Sequence, residues 1–357
     1  MINLKKLLFL ITLTLILIPT KISALNNIFD NYIVMDIDSK RIFEEKNKDE
    51  QKLPASTTKI MTLIVALENS NQEDVVTVKD EILTIDGSNI YLEMNENILM
   101  QDLEYGMILR SGNDAAMTIA RHTGNTVSNF VKLMNQKSKQ LNLKNTHFNN
   151  PTGLDDNEKN ISTVHDLSLI YSYGYKNKAF RDILKTKTYK ATSSTKSYYF
   201  KNRSKILSMD DRITGAKTGY TPTAGRILVS SATNNNLNLV IASISKIDYG
   251  YQNHIDLYNK IFSNYKNYKL LDKNNLKLKT NLKGKPYIGN SFSYPLTKNE
   301  KENISKKIVY NGKKEDQVGE ILIYLKDDII HREKLYLKQE KVSLADKIKS
   351  FFKHLLN

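Results

Sequence analysis

Apolar residues recur along the first two thirds of the chain in two rhythms, one of period two and one of helical period. Tyr32-Ile33-Val34-Met35 reads as a strand, Asp38-Ser39-Lys40 as a turn and Arg41-Ile42-Phe43-Glu44 as the returning strand, which predicts a hairpin. From Ser56 the rhythm changes: Ile60, Met61, Leu63, Ile64 and Leu67 fall at helical spacing. Further helices are predicted over Met100–Leu109, Ala115–His122 and Val127–Leu141, with Gly124 as punctuation. Between Arg226 and Ile247, two apolar runs flank Asn234-Asn235-Asn236, the pattern of a hairpin in a buried sheet. A helix-like segment, His254 to Tyr268, follows. Strand, helices, strands and helix in one chain predict an α/β or α+β catalytic domain.

Beyond Tyr268 the apolar runs shorten and Lys and Asn dominate. Strands such as Glu320–Tyr324 alternate with turns there, so a smaller all-β domain is expected over residues 269–341. The segment 342–357 is different again. Leu344, Ala345, Ile348, Phe351, Phe352, Leu355 and Leu356 share one helical face, and Lys347, Lys349, Ser350, Lys353 and His354 the other. That pattern predicts an interfacial membrane-anchor helix, with an ordinary packing helix as the alternative. At the opposite end, Lys5 and Lys6 precede the apolar run Leu7–Ile18, Pro19 breaks it, and Ile22-Ser23-Ala24 offers a cleavage point. This is the layout of a signal peptide over residues 1–24. The chain is therefore expected to work outside the cytoplasm, at the membrane or cell wall, with a catalytic domain over 25–268.

Composition narrows the chemistry. The net charge of +15 favours a polyanionic neighbour, and the absence of any nucleic-acid module makes a membrane surface or wall polymer the better candidate. With no cysteine, thiolate catalysis, disulfides and Cys-type zinc sites are excluded. The histidines, among them His122, His147, His165 and His254, show no HExxH spacing. They read as surface or packed residues, and neither metal nor cofactor is expected.

Ser56 and Lys59 stand one helical turn apart at the head of an apolar helix, behind Pro54. Residues i and i+3 share a helix face, so the amine can reach the hydroxyl, and a serine needs such a base before it attacks. Other Ser-x-x-Lys tetrads, at Ser193, Ser243, Ser263 and Ser350, lack that setting. Ser111-Gly112-Asn113 is the only Ser-x-Asn in the chain, and Lys217-Thr218-Gly219 the only KTG, just ahead of the apolar hairpin where an edge strand would begin.

SxxK, SxN and KTG in that order resemble the serine D-alanyl-D-alanine carboxypeptidases, the low-molecular-mass penicillin-binding proteins. The resemblance extends to Asn150–Asp156, Ser162–Ile170, Gly215–Thr233, the run from Val318 to Glu340, and the amphipathic tail. It implies a β-lactamase/transpeptidase-like catalytic domain, an antiparallel sheet packed with helices, followed by a small all-β domain. It implies Ser56 as nucleophile and Lys59 as base, kept neutral by burial and by Lys217. Ser111 would relay a proton, and Asn113 would hold the substrate amide. The strand of Lys217, Thr218 and Gly219 would pair with substrate backbone, with Thr218 and Arg203 on the terminal carboxylate. Arg203 departs by about one residue from the family spacing. The backbone N–H groups of Ser56 and Tyr220 would form the oxyanion hole. The implied partners are peptidoglycan stem peptides and β-lactam antibiotics. Asp155, Asp156 and Glu158 do not follow the lactamase Glu pattern and read as solvated turn residues. A β-lactamase, a transpeptidase and a non-catalytic wall binder are the rival readings.

Overall fold

The computed structural model describes residues 28–155, 159–276, 278, 285–314 and 317–338. The expected signal peptide, the expected tail helix, Asp156 and Glu158 lie outside the described residues. The chain divides into two compact units, Met1–Asn234 with Asn238–Ile261, and Asn235–Leu237 with Phe262–Asn357.

In chain order the elements up to that division are β1 (Asn31–Asp36), β2 (Ile42–Lys46), α1 (Lys59–Asn69), β3 (Val75–Thr77), β4 (Asn97–Leu99), α2 (Met100–Leu109), α3 (Asn113–Gly124), α4 (Val127–Gln140), α5 (Val164–Gly174), α6 (Lys178–Lys185), β5 (Thr188–Thr192), β6 (Ser197–Lys201), β7 (Ile213–Thr221), β8 (Gly225–Asn234), β9 (Leu237–Ser245) and α7 (Tyr251–Asn264). Five strands form one sheet in the order β2-β1-β9-β8-β7, with β1 antiparallel to both β2 and β9, and β7 antiparallel to β8. Asn235 and Asn236 take φ of +48° and +62°, the left-handed pair that a tight hairpin turn between β8 and β9 demands and that Asn tolerates. The mixed α/β architecture anticipated from the sequence is the one observed.

Apart from the edge strand β2, the strands of this sheet are buried along most of their length. One face carries Ile33, Met35, Ile227, Val229, Val240 and Ala242 into the main helical core. Alternation sends Ser230 and Ser243 to the other face, under α7. Helix α1 is buried from Lys59 to Ala66, so it runs through the core rather than over it. Strand β7 is left at the sheet edge.

The second unit contains β10 (Lys266–Leu271), β11 (Lys285–Ile288), β12 (Phe292–Leu296), the short α8 (Lys298–Glu302), β13 (Ile304–Lys314), β14 (Gln317–Leu325) and β15 (Asp328–Lys338). β10 pairs with β12, and β11-β15-β14-β13 form a second sheet over a small core of Leu271, Ile288, Ile321, Ile323 and Leu335. The helix expected over His254–Tyr268 is displaced: it runs Tyr251–Asn264, and the next residues become β10. Tyr268 pairs with Tyr294, and a partner that far along the chain overrides local helical spacing.

Candidate active site

The site starts from a strained turn. Ala55 takes φ +43°, and Ala55–Thr58 form a single 3-10 turn before α1 begins at Lys59. Ser56 therefore sits one turn ahead of the α-helix, not in its first residue as the apolar spacing suggested. Pro54 O holds the turn by accepting from Thr57 N at 3.1 Å and Thr57 Oγ1 at 2.5 Å. Two glycines press on it. A Cβ on Gly153, whose φ is +85°, would lie 1.9 Å from Ala55 O. One on Gly219 would lie 3.1 Å from Pro54 O, Ser56 N and Thr57 N. Any larger residue at Gly153 would displace the turn that carries the serine.

Lys59 is fully buried. Its Nζ lies 2.7 Å from Asn113 Oδ1, 2.7 Å from Thr152 O and 3.2 Å from Ser56 Oγ. Burial holds this amine well below the ordinary lysine range, and the charge of Lys217 lowers it further. Lys217, on the edge strand β7, is also buried and is lowered to about 7 by burial first and Arg203 second. A charge on Lys217 thus opposes a second charge on Lys59. Its Nζ donates to Ser111 Oγ at 3.0 Å and to Thr218 O at 2.6 Å.

Ser111 stands between α2 and α3 with φ +64°, a left-handed kink that a serine adopts only under constraint. Asn113 opens α3; its Nδ2 donates to Asp86 O at 2.7 Å while its Oδ1 faces Lys59. Gly87, at φ +84°, leaves room for that amide. Next to it, the buried Asp114 carboxylate accepts from Ile90 N, Leu92 N and Ala115 N. Arg203 donates to Ser88 Oγ at 2.6 Å and is felt electrostatically by both lysines. Thr218 is buried, and Tyr220 is half exposed with the Arg226 guanidinium 4.6 Å over its ring.

All three motifs thus meet in one place. Ser56, Lys59 and Asn113 form one hydrogen-bonded group, Ser111, Lys217 and Thr218 another, and the two lysines couple them. Three participants were not foreseen: Thr152, which acts through its carbonyl; Asp114, whose only signal was an acidic residue in a helix's first turn; and the loop Asp86–Leu92. Asp155 corrects the solvated-turn reading, since its Oδ2 accepts from Thr221 Oγ1 at 2.8 Å. That bond ties its loop to the end of β7. Among the described residues no three acidic or histidine side chains gather as a metal site would require.

A family model described as D-alanyl-D-alanine carboxypeptidase, peptidase S11, matches residues 20–246. The chain belongs to this family. Among relatives of this D-alanyl-D-alanine carboxypeptidase family member, DacF of Bacillus subtilis is 30% identical over 214 residues, covering 58% of this chain and 55% of its own length. DacA of Haemophilus influenzae is 35% identical over 236 residues, covering 62% of this chain and 57% of its own. The chain thus spans little more than half the length of these two curated relatives. Penicillin binding protein 5 from Haemophilus influenzae superposes with a TM-score of 0.73 at 25% identity, over 87% of this chain and 97% of that one. A mutant of the Streptomyces K15 DD-transpeptidase does so at 0.62 and 29%, over 66% and 98%.

Proposed function

We propose that the protein is a serine-type D-Ala-D-Ala carboxypeptidase that removes the terminal D-alanine from peptidoglycan stem peptides. The observation that carries the reading is the set of partners around Lys59. A neutral amine has two hydrogens and one lone pair. Asn113 Oδ1 and Thr152 O, each 2.7 Å away, take the hydrogens and leave the lone pair for the Ser56 hydroxyl at 3.2 Å.

Lys59 accepts the hydroxyl proton as Ser56 Oγ attacks the penultimate carbonyl, and the backbone N–H groups of Ser56 and Tyr220 receive the developing oxyanion. Loss of one such donor costs about 3 kcal/mol of transition-state stabilisation. Ser111, hydrogen-bonded to the cationic Lys217, relays to the leaving amine the proton that Lys59 took up, which leaves Lys59 neutral again. The bond to D-alanine then breaks and leaves the acyl group on Ser56. Water, with Lys59 again as base, releases the acid. The outer edge of β7 pairs with the substrate backbone, Asn113 holds the substrate amide, and Gly219 leaves room for the Ser56 turn beside that strand. Thr218 and Arg203 grip the terminal carboxylate. Penicillins acylate the same serine. The protein is exported, with its basic tail over residues 342–357 lying on the membrane surface.

Two measurements test this reading: release of D-alanine from a diacyl-D-Ala-D-Ala peptide, and labelling by a fluorescent penicillin mapped to Ser56. Labelling that survives Ser56→Ala, or absence of both activities in the native chain, overturns it. Because one similar structure is a DD-transpeptidase, the peptide assay includes an amine acceptor, and a dominant transfer product would reassign the enzyme.

A further inference from the structure

Tyr91 is a bulky residue at φ +63°, and its side chain is 77% exposed. Left-handed backbone at a tyrosine costs energy, and an exposed ring recovers nothing from core packing. The surrounding contacts nevertheless enforce it. The Asp114 carboxylate grips the N–H on each side, Ile90 N at 3.0 Å and Leu92 N at 3.1 Å, and both of those residues are buried. Lys196 Nζ holds the Tyr91 carbonyl at 2.7 Å and is itself paired with Glu93 at 2.7 Å. The residue between these three anchors is forced outward.

Where it is displayed gives the strain a purpose. Asp114 follows Asn113 in α3, and Ser88, three residues before Tyr91, carries the Arg203 guanidinium. The loop that displays Tyr91 therefore meets Arg203 through Ser88 and Asn113 through the Asp86 carbonyl. Strain held rigidly beside a binding group marks a position retained for contact with ligand. A tyrosine supplies a large, stiff contact face there at small entropic cost.

We infer that Tyr91 is a specificity-determining residue whose ring packs over the terminal residue of the bound peptide at its carboxylate end. The inference rests on the reading of Arg203 as a carboxylate anchor. Such a ring covers a small apolar side chain on the terminal residue and favours D-alanine over glycine.

Glycine adopts φ +63° without strain, so Tyr91→Gly separates the two roles this residue could have. If the ring serves substrate, Tyr91→Gly raises KM for a D-Ala-ended peptide about tenfold and leaves kcat within about twofold. It also narrows the preference over the glycine-ended peptide, and the melting temperature stays at or above native. Tyr91→Phe retains the ring and stays near native in all four readouts. A native KM in Tyr91→Gly overturns the inference, as does a lowered melting temperature, which would make the side chain a structural prop. A native chain that releases no D-alanine overturns the carboxypeptidase reading, and this inference with it. A native chain that does, beside an unchanged variant, overturns the inference alone.

Discussion

His254 and Lys59 are both fully buried ionisable side chains, and burial lowers both below their ordinary ranges. Their surroundings differ. Both His254 ring nitrogens meet hydroxyls, Ser230 Oγ at 2.8 Å and Ser243 Oγ at 2.7 Å, and the Tyr258 hydroxyl closes the group on Ser230 at 2.8 Å. Every partner is itself buried. Around Lys59 two acceptors lie in the interior, but the third partner, Ser56, is only partly covered. A second cation presses on Lys59, whereas burial alone depresses His254. A shifted titration by itself does not distinguish the two. What distinguishes them is that one partner of Lys59, the Ser56 hydroxyl, is only partly buried, whereas every partner of His254 is closed off.

The comparison breaks most sharply at Lys59. Lys59→Gln keeps a neutral side chain able to donate toward Thr152 O and Asn113 Oδ1, yet supplies no base. Acylation by penicillin is expected to fall about 10³-fold, with the melting temperature not lowered. A variant that acylates within tenfold of native would remove Lys59 from the proposed mechanism. Gly153→Ala comes next. Its Cβ would collide with Ala55 O at 1.9 Å, and φ +85° adds strain of about 1–3 kcal/mol. Both the acylation rate and the melting temperature should drop, because the Ser56 turn must move. A normal rate in that variant would show the turn tolerates displacement.

Much of this contrast is legible in the amino-acid sequence, but unevenly. Lys59 could be paired with Ser56 because i and i+3 share a helix face, and the β8–β9 hairpin showed because its turn needs left-handed residues and has Asn235 and Asn236. His254 was rightly classed among surface or packed residues. Backbone groups leave no such trace: nothing in the sequence marks the Thr152 carbonyl as a ligand of Lys59. Asp114 acts on Ile90 and Leu92 through a fold that brings distant residues together, and Asp155 does the same on Thr221. The end of α7 was misplaced for a related reason, since pairing of β10 with β12 is decided outside any local window.

Lys217 sharpens the comparison through pH. Its amine is lowered to about 7, so in the free enzyme its charge is lost as pH rises through that value. If the charged form assists Ser111 and attracts the carboxylate that Thr218 and Arg203 hold, kcat/KM declines on the alkaline side of about pH 7. Bound carboxylate favours the protonated amine, so the matching limb of kcat lies at higher pH. Coincident limbs in the two profiles would mean that substrate charge does not reach Lys217.

His254 gives the smallest effect on activity and a test of stability instead. Its folded-state value is depressed to about 3 from an ordinary 6.5. Between those values the unfolded chain takes up a proton that the folded chain refuses. The stability this group contributes is therefore intact above about pH 6.5 and declines as pH falls toward 3, by about 1.4 kcal/mol per pH unit at full effect. Burial raises Glu104 to about 7 and Asp36 to about 6, and these act in the opposite sense, gaining stability with acid. The native profile blends these with the other shifted groups, Lys217 among them, so the informative quantity is its difference from His254→Gln, which leaves those groups in place. The native lead in melting temperature at pH 7 should shrink steadily down to pH 4, while kcat/KM at pH 7 stays native. Parallel melting profiles would mean that His254 is reached by protons in the folded state, and a fall in kcat/KM would mean that the two clusters are not independent.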